Sequence, residues 1–225
     1  MEKTSVKLIC IFCLLLFSAA VKGQVIEDAN GRPVLVRQYT DVQGSPYLAD
    51  EWIKGVVTLN NGKTYKAVDL KYDQVADELF FKNAKGETLG FVQPVSEFKL
   101  IVLEKETPRV LYFRNGFKPV NGNTEKTFYQ ILTDDETPLV KRISKKVHEN
   151  KPYSSATVVK TFEEVREYYL VKYGLPVKIR KDKKSVLAAL GSYSDQLDEF
   201  IKSNQLNLKD DADLIELVAY YNRLK

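Results

Sequence analysis

Between residues 47 and 181, short segments rich in aromatic and β-branched residues alternate with turn signals, and this pattern restricts the fold more than any other feature. The clearest turn is Asn60-Asn61-Gly62-Lys63, because Asn-Gly readily adopts the positive φ angles of a tight hairpin. Predicted strands flank it at 52–59 and 65–72. Since no helical periodicity intervenes, the sequence predicts an antiparallel β domain over 47–181, built as a meander, sandwich or open barrel. Its other predicted strands span 78–83, 89–92, 97–103, 110–114, 127–133, 139–147, 165–173 and 177–180.

The hydrophobic period changes near Asp182, where the sequence predicts three short helices over 182–225. Asp182 is predicted to cap the first helix, which Gly191 ends, and Ser192 or Ser194 to cap the second. Short helices bury little surface alone, so these are expected to pack on the β domain or to form a small bundle. The predicted fold class is therefore α+β, with the sheet first and a short helical segment last.

The first 23 residues have the form of a secretory signal peptide. Lys3 and Lys7 precede an apolar run at 8–17, which is shorter than the roughly 20 residues needed to span a bilayer. Small residues, Val21 and Gly23, occupy the positions expected before a cleavage site. Residues 24–46 are expected to be a lead segment, with a turn at 31–33 and one short strand at 34–37.

Export would remove both cysteines, Cys10 and Cys13, and lower the formal net charge from +4 to +2. A nearly neutral chain does not point to nucleic acid as a partner. We expect no membrane-spanning segment after cleavage, because no second long apolar run exists. The expected location is the periplasm or the extracellular space, with association to the outer membrane as a further option.

One pattern resembles a group of uncharacterised exported proteins of Bacteroidota. It consists of Trp52 with Lys54-Gly55, then Gly62-Lys63-Thr64-Tyr65, Leu70-Lys71-Tyr72-Asp73 and Asp77-Glu78-Leu79. The similarity covers mainly residues 47–103, and a weaker similarity occurs at Tyr220-Tyr221-Asn222. The resemblance implies an envelope or secreted setting and no catalytic mechanism.

The composition of the expected mature chain argues against several classes of enzyme. It would hold one histidine, His148, and no cysteine, so a zinc site built from these residues and a cysteine nucleophile are not expected. We expect no cofactor and no metal. A hydrolase that uses only carboxylates stays possible, because acidic turns occur at Asp73, Asp77 and Glu78 and again at 134–136.

The sequence predicts an exported, non-enzymatic binding module, with an envelope protein, a glycan or a lipid as its partner. The alternatives are a secreted hydrolase that uses carboxylates on a glycan and a structural component of an envelope complex. The densest basic run, over 178–184, suits either the phosphates of an envelope polymer or nucleic acid, or an edge strand kept soluble by lysines, and the second interpretation is favoured. The residues proposed for a partner surface are Trp52, Tyr72, Lys178, Arg180 and Lys181.

Overall fold

The computed structural model describes residues 31–34, 39, 41–104, 107–151 and 158–225. The predicted signal peptide at 1–23 lies outside the described residues, as does much of the lead segment. The described chain is a mostly antiparallel β-sheet with three short helices at its carboxyl end, which confirms the predicted α+β fold class.

Twelve strands form one sheet, and eleven of them follow the order β1-β6-β5-β4-β3-β7-β8-β9-β10-β11-β12. Strand β2 pairs in parallel with β11, so antiparallel pairing is not universal. The strands are β1 (Gly31–Pro33), β2 (Val42–Gln43), β3 (Ile53–Leu59), β4 (Thr64–Asp73), β5 (Glu78–Lys82), β6 (Thr88–Phe91), β7 (Val95–Glu104), β8 (Thr107–Arg114), β9 (Tyr129–Ile131), β10 (Leu139–Asn150), β11 (Val159–Lys172) and β12 (Leu175–Ile179).

The turn between β3 and β4 lies where Asn-Gly predicts it. Gly62 has a φ of 82°, and the side chain of Asn61 accepts a hydrogen bond from the Lys63 amide at 3.0 Å. The Leu59 amide donates to the Lys63 carbonyl at 2.9 Å, which closes the hairpin.

The turn predicted at 31–33 is wrong, because these residues form β1 on the edge of the sheet. Gly31 lies opposite Phe91, and Pro33 lies opposite Leu89. A Cβ atom at Gly31 would lie 2.5 Å from Cδ1 of Leu89, so the glycine allows a close approach of two strands. The strand predicted at 34–37 falls outside the described residues beyond Val34.

The first core lies among β3, β4, β5, β7 and β8 and is dominated by aromatic rings. Phe98 and Phe113 stack with centroids 4.7 Å apart and an interplanar angle of 10°. Tyr72 and Phe128 pack around this pair, with the Tyr72 ring 5.2 Å from that of Phe98. Alternation along each strand delivers these side chains to one face of the sheet.

Two basic residues of β10 contact the β4–β5 turn and the segment that precedes β3. Arg142 Nη1 lies 2.9 Å from Oδ2 of Asp77, in the turn between β4 and β5, and both side chains are largely buried. Lys145 donates through Nζ to the carbonyl oxygens of Ser45 and Tyr47, and its amide donates to the carbonyl of Gln74. These contacts therefore join β10 to the β4–β5 turn and to the segment before β3, although β10 lies far from β4 in the strand order.

The helices are α1 (Lys183–Leu190), α2 (Ser194–Ser203) and α3 (Asp211–Leu224). They share one hydrophobic core with residues of β10, β11 and β12. The predicted cap Asp182 accepts a hydrogen bond from the Ser185 amide at 2.8 Å, and Gly191 ends α1 with a φ of 75°. None of the helices described here is long and apolar enough to cross a membrane.

The second helix begins differently from the prediction. Tyr193, and not Ser192 or Ser194, occupies its N-cap position. The Tyr193 side chain makes no capping hydrogen bond, although serine is a favoured residue there.

Candidate functional site

A cleft of about 830 Å³ opens where the carboxyl ends of α1 and α3 meet the hairpin between β11 and β12. We call it the tyrosine cleft, and its volume lies in the usual range for ligand pockets of about 300–1,000 Å³. Five separate parts of the chain contribute to it, so the fold and not a local motif builds the site. Its lining residues are Arg114, Phe117, Glu136, Thr137, Pro138, Val171, Lys172, Tyr173, Gly174, Leu190, Ser192, Tyr193, Tyr221 and Lys225.

Tyr173 lies at the tip of the β11–β12 hairpin and is 96% exposed. Lys172 pairs with Leu175, so Tyr173 and Gly174 form a two-residue turn, and their φ angles are 52° and 75°. Turns of this kind need positive φ at both positions and favour Asn, Asp or Gly at the first. A bulky aromatic residue is therefore an unusual choice, and it places a solvent-exposed ring at the rim of the cleft.

Tyr193 also lines the cleft and is also in the left-handed region, with a φ of 60° and a ψ of 27°. It is 37% exposed, and its ring meets that of Tyr221 edge-on at 6.2 Å. A small polar residue at this helix start would both relieve the backbone and cap the helix.

Tyr173 and Tyr193 both carry backbone strain, because both have a positive φ angle. A left-handed conformation costs an L-residue about 1–2 kcal/mol. Such strain in non-glycine residues tends to gather at functional sites, where the surrounding structure holds it. Both strained tyrosines line the same cleft, and each stands where the local backbone favours a small residue. This coincidence makes the tyrosine cleft the candidate site.

Leu190, the last residue of α1, lines the cleft. The carbonyl oxygen of Leu190 accepts hydrogen bonds from Lys172 Nζ at 2.8 Å and from the Tyr221 hydroxyl at 3.3 Å. Burial first, and then repulsion from Lys225, lower the pKa of Lys172. The ammonium group therefore sits in a partly desolvated place beside a second positive charge.

The other charged groups of the cleft have partners. Arg114 makes two hydrogen bonds to Asp134, at 3.0 and 2.7 Å. Lys225 Nζ lies 2.8 Å from Oε1 of Glu136 and 2.8 Å from Oγ1 of Thr137. These pairs fix the walls of the cleft.

The structure places Tyr72 in the core and not on a partner surface. It is 2% exposed, and its hydroxyl donates to Oδ1 of Asp77 at 2.5 Å. Burial, followed by the charge of Asp77, raises its pKa well above the ordinary value. The expectation that Tyr72 faces a partner is corrected, because its side chain points to the filled face of β4.

Trp52 lies beside two lysines on the opposite face of the sheet. Lys82 Nζ is 4.9 Å from the centre of its ring, and Lys71 Nζ is 5.6 Å away. Trp52 does not line the tyrosine cleft.

Each of the three basic residues proposed from the sequence has a carboxylate partner. Lys178 pairs with Glu167 at 2.5 Å, and Arg180 pairs with Asp182 at 2.9 Å. Lys181 lies 2.6 Å from Asp211. The three residues are near one another along the chain, but they lie in separate ion pairs and not in one free basic patch.

The acidic turns also have structural partners. Asp73 Oδ1 accepts hydrogen bonds from the amides of Val75 and Ala76, and Glu78 pairs with Arg32 at 3.2 Å. His148 is exposed on β10, 3.8 Å from Glu163. Within the described residues, no group of three or more His, Cys, Asp or Glu side chains is placed to hold a metal ion.

Sequence reasoning missed both Tyr173 and Tyr193. The available signal was the dipeptide Tyr173-Gly174 at the end of a strand, where Asn-Gly would be the ordinary choice. The turn was predicted one residue later, at 174–176, so the tyrosine was assigned to the strand.

No known protein family, curated protein or solved structure matches this chain.

Proposed function

We propose that this is an exported, non-catalytic protein that binds a glycan in the tyrosine cleft. The observation that carries the proposal is the pair of exposed tyrosines, Tyr173 and Tyr193, both in the left-handed conformation at the rim of one cleft. Export rests on the signal-peptide pattern of residues 1–23 and on the resemblance to exported proteins.

The lining favours a glycan over the other partner classes. Exposed tyrosine rings offer flat surfaces to the C–H faces of sugar rings, and their hydroxyls offer hydrogen bonds to the sugar hydroxyls. Val171 and Leu190 also line the cleft, but they are only 4% and 1% exposed, so neither offers its side chain to a lipid. A concave cleft also suits a chain-like ligand better than a flat protein surface.

The same lining argues against hydrolysis in this cleft. A glycosidase of the usual kind needs two carboxyl groups on either side of the scissile bond. Glu136 has the one carboxylate side chain among the lining residues, and it is paired with Lys225.

Replacing Tyr173 with asparagine tests the proposal, because it separates stability from binding. Asn tolerates the left-handed conformation, and a 96% exposed ring loses almost no packing. We expect Y173N to raise the free energy of unfolding by about 1 kcal/mol, measured by urea denaturation. We expect the same variant to weaken glycan binding about tenfold or more, measured on a glycan array and by calorimetry.

Gln205 provides the matched control. It is an exposed non-glycine residue with a φ of 53°, and it does not line the cleft. Q205N is expected to stabilise the protein similarly and to leave glycan binding unchanged. The proposal is contradicted if the wild-type protein binds no glycan, or if Y173N binds as well as Q205N.

A further inference from the structure

We propose that the ligand of the tyrosine cleft is acidic and that its carboxylate or phosphate group pairs with Lys172. This inference rests on the proposed function and adds the chemical class of the glycan.

The side chains that line the cleft carry more positive than negative charge. Three lining residues have cationic side chains, Arg114, Lys172 and Lys225, and one has a carboxylate side chain, Glu136. Asp134 pairs with Arg114 and Glu136 pairs with Lys225, so each of these two positive charges has a carboxylate partner. One positive charge, that of Lys172, is left in the cleft.

Lys172 has no carboxylate within ion-pair distance among the described residues. Its one hydrogen bond goes to the Leu190 carbonyl, which leaves two of its three donors for another group. The carbonyl contact orients the ammonium at the end of α1, where the helix dipole gives only a partial negative charge. The hydrogen bond therefore holds the Lys172 ammonium in place, but no carboxylate of the described residues neutralises its charge.

An anion in the cleft would remove this imbalance. A hydrogen bond between two charged groups is about twice as strong as one between neutral groups, and partial burial strengthens it further. A neutral sugar hydroxyl could accept a hydrogen bond from Lys172, but it would leave the repulsion between Lys172 and Lys225 in place. The tyrosine rings would hold the sugar rings, and Lys172 would select those that carry an acid.

The experiment uses the full chain and an array on which each acidic glycan stands beside its neutral counterpart. Oligogalacturonate is paired with its methyl ester, and a phosphorylated mannose oligosaccharide with its dephosphorylated form. We expect the acidic member of at least one pair to bind about tenfold more tightly than its neutral counterpart. The pair that responds distinguishes a carboxylate from a phosphate ligand. Binding should weaken as the salt concentration rises.

Lys172→Met and Lys184→Met form a matched pair of variants, because each removes one lysine and Lys184 is exposed on α1 outside the cleft. K172M is expected to lose about tenfold in affinity for the acidic glycan and to bind the neutral one as before, whereas K184M should bind as the wild type does. Lys172→Arg should retain the preference for the acid, which a purely structural role at the end of α1 would not explain.

The outcomes separate this inference from the proposed function. If acidic and neutral glycans bind equally, or if K172M behaves as K184M does, the acidic ligand is wrong. Loss of binding in Y173N would then still support a glycan site. Failure of the wild-type protein to bind any member of the array would overturn both.

Discussion

Replacing Arg142 with methionine is expected to lower the free energy of unfolding by about 3–5 kcal/mol. Arg142 and Asp77 are 14% and 18% exposed, so the variant would leave a carboxylate buried without its counter-charge. The contact also joins β10 to the turn between β4 and β5, two parts of the sheet that are distant in its strand order. Urea denaturation at neutral pH measures the loss.

A nearby exposed pair supplies the control for this prediction. Arg32 and Glu78 are 52% and 40% exposed and lie 3.2 Å apart, so R32M should cost no more than about 1 kcal/mol. If R142M does not fold, the double variant R142M/D77N can be measured instead. We expect it to fold and to be more stable than R142M, because removing both charges leaves no buried carboxylate. A loss for R142M as small as that for R32M would contradict the role given to the pair.

Replacing Asp211 with asparagine is expected to lower the free energy of unfolding by about 2–4 kcal/mol at pH 7. Asp211 begins α3 and accepts hydrogen bonds from Lys141 at 2.9 Å, Lys181 at 2.6 Å and the Tyr168 hydroxyl at 2.8 Å. The variant would leave two partly buried ammonium groups without their carboxylate, and it would weaken the attachment of α3 to the sheet.

This effect should depend on pH in a defined direction. Partial burial alone would raise the pKa of Asp211, but the hydrogen bonds from Lys181, Lys141 and Tyr168 outweigh it and hold the pKa well below the usual value. A carboxyl group with a lowered pKa in the folded state stabilises the fold above its unfolded pKa of about 3.9. That contribution is lost as the pH falls through the folded pKa.

The stability difference between the wild type and D211N should therefore be full near pH 6–7 and shrink below about pH 4. Denaturation curves at a series of pH values measure it. D195N, at an exposed position in the first turn of α2, should change stability by no more than about 0.5 kcal/mol. A difference between the wild type and D211N that stays constant down to pH 3 would contradict the proposed ionic role.

Local signals in the sequence predicted much of the fold. The Asn-Gly turn before β4 and the caps of α1 at Asp182 and Gly191 depend on contacts within a few residues, so the sequence alone reveals them. Strand β1 could not be predicted in this way. Gly31-Arg32-Pro33 is typical of a turn, and it becomes a strand only because the edge of β6 is there to pair with it.

The candidate site was less predictable, because long-range contacts determine it. The sequence indicates a basic run from Lys178 to Lys184, but Lys181 pairs with Asp211, 30 residues further along the chain. The tyrosine cleft combines residues from position 114 to position 225. The sequence does not show that Tyr173 and Tyr193 share a cleft, since that depends on how α1 packs against β12.

Our proposal is that a glycan binds at Tyr173 and Tyr193 in the tyrosine cleft. Nuclear magnetic resonance of the isotope-labelled protein, titrated with the tightest-binding glycan of the array, tests it most directly. We expect the amide shift changes to concentrate at 172–174 and 191–193 and to disappear in Y173N. Shift changes centred instead on Trp52 and its neighbouring lysines, or persisting in Y173N, would contradict it.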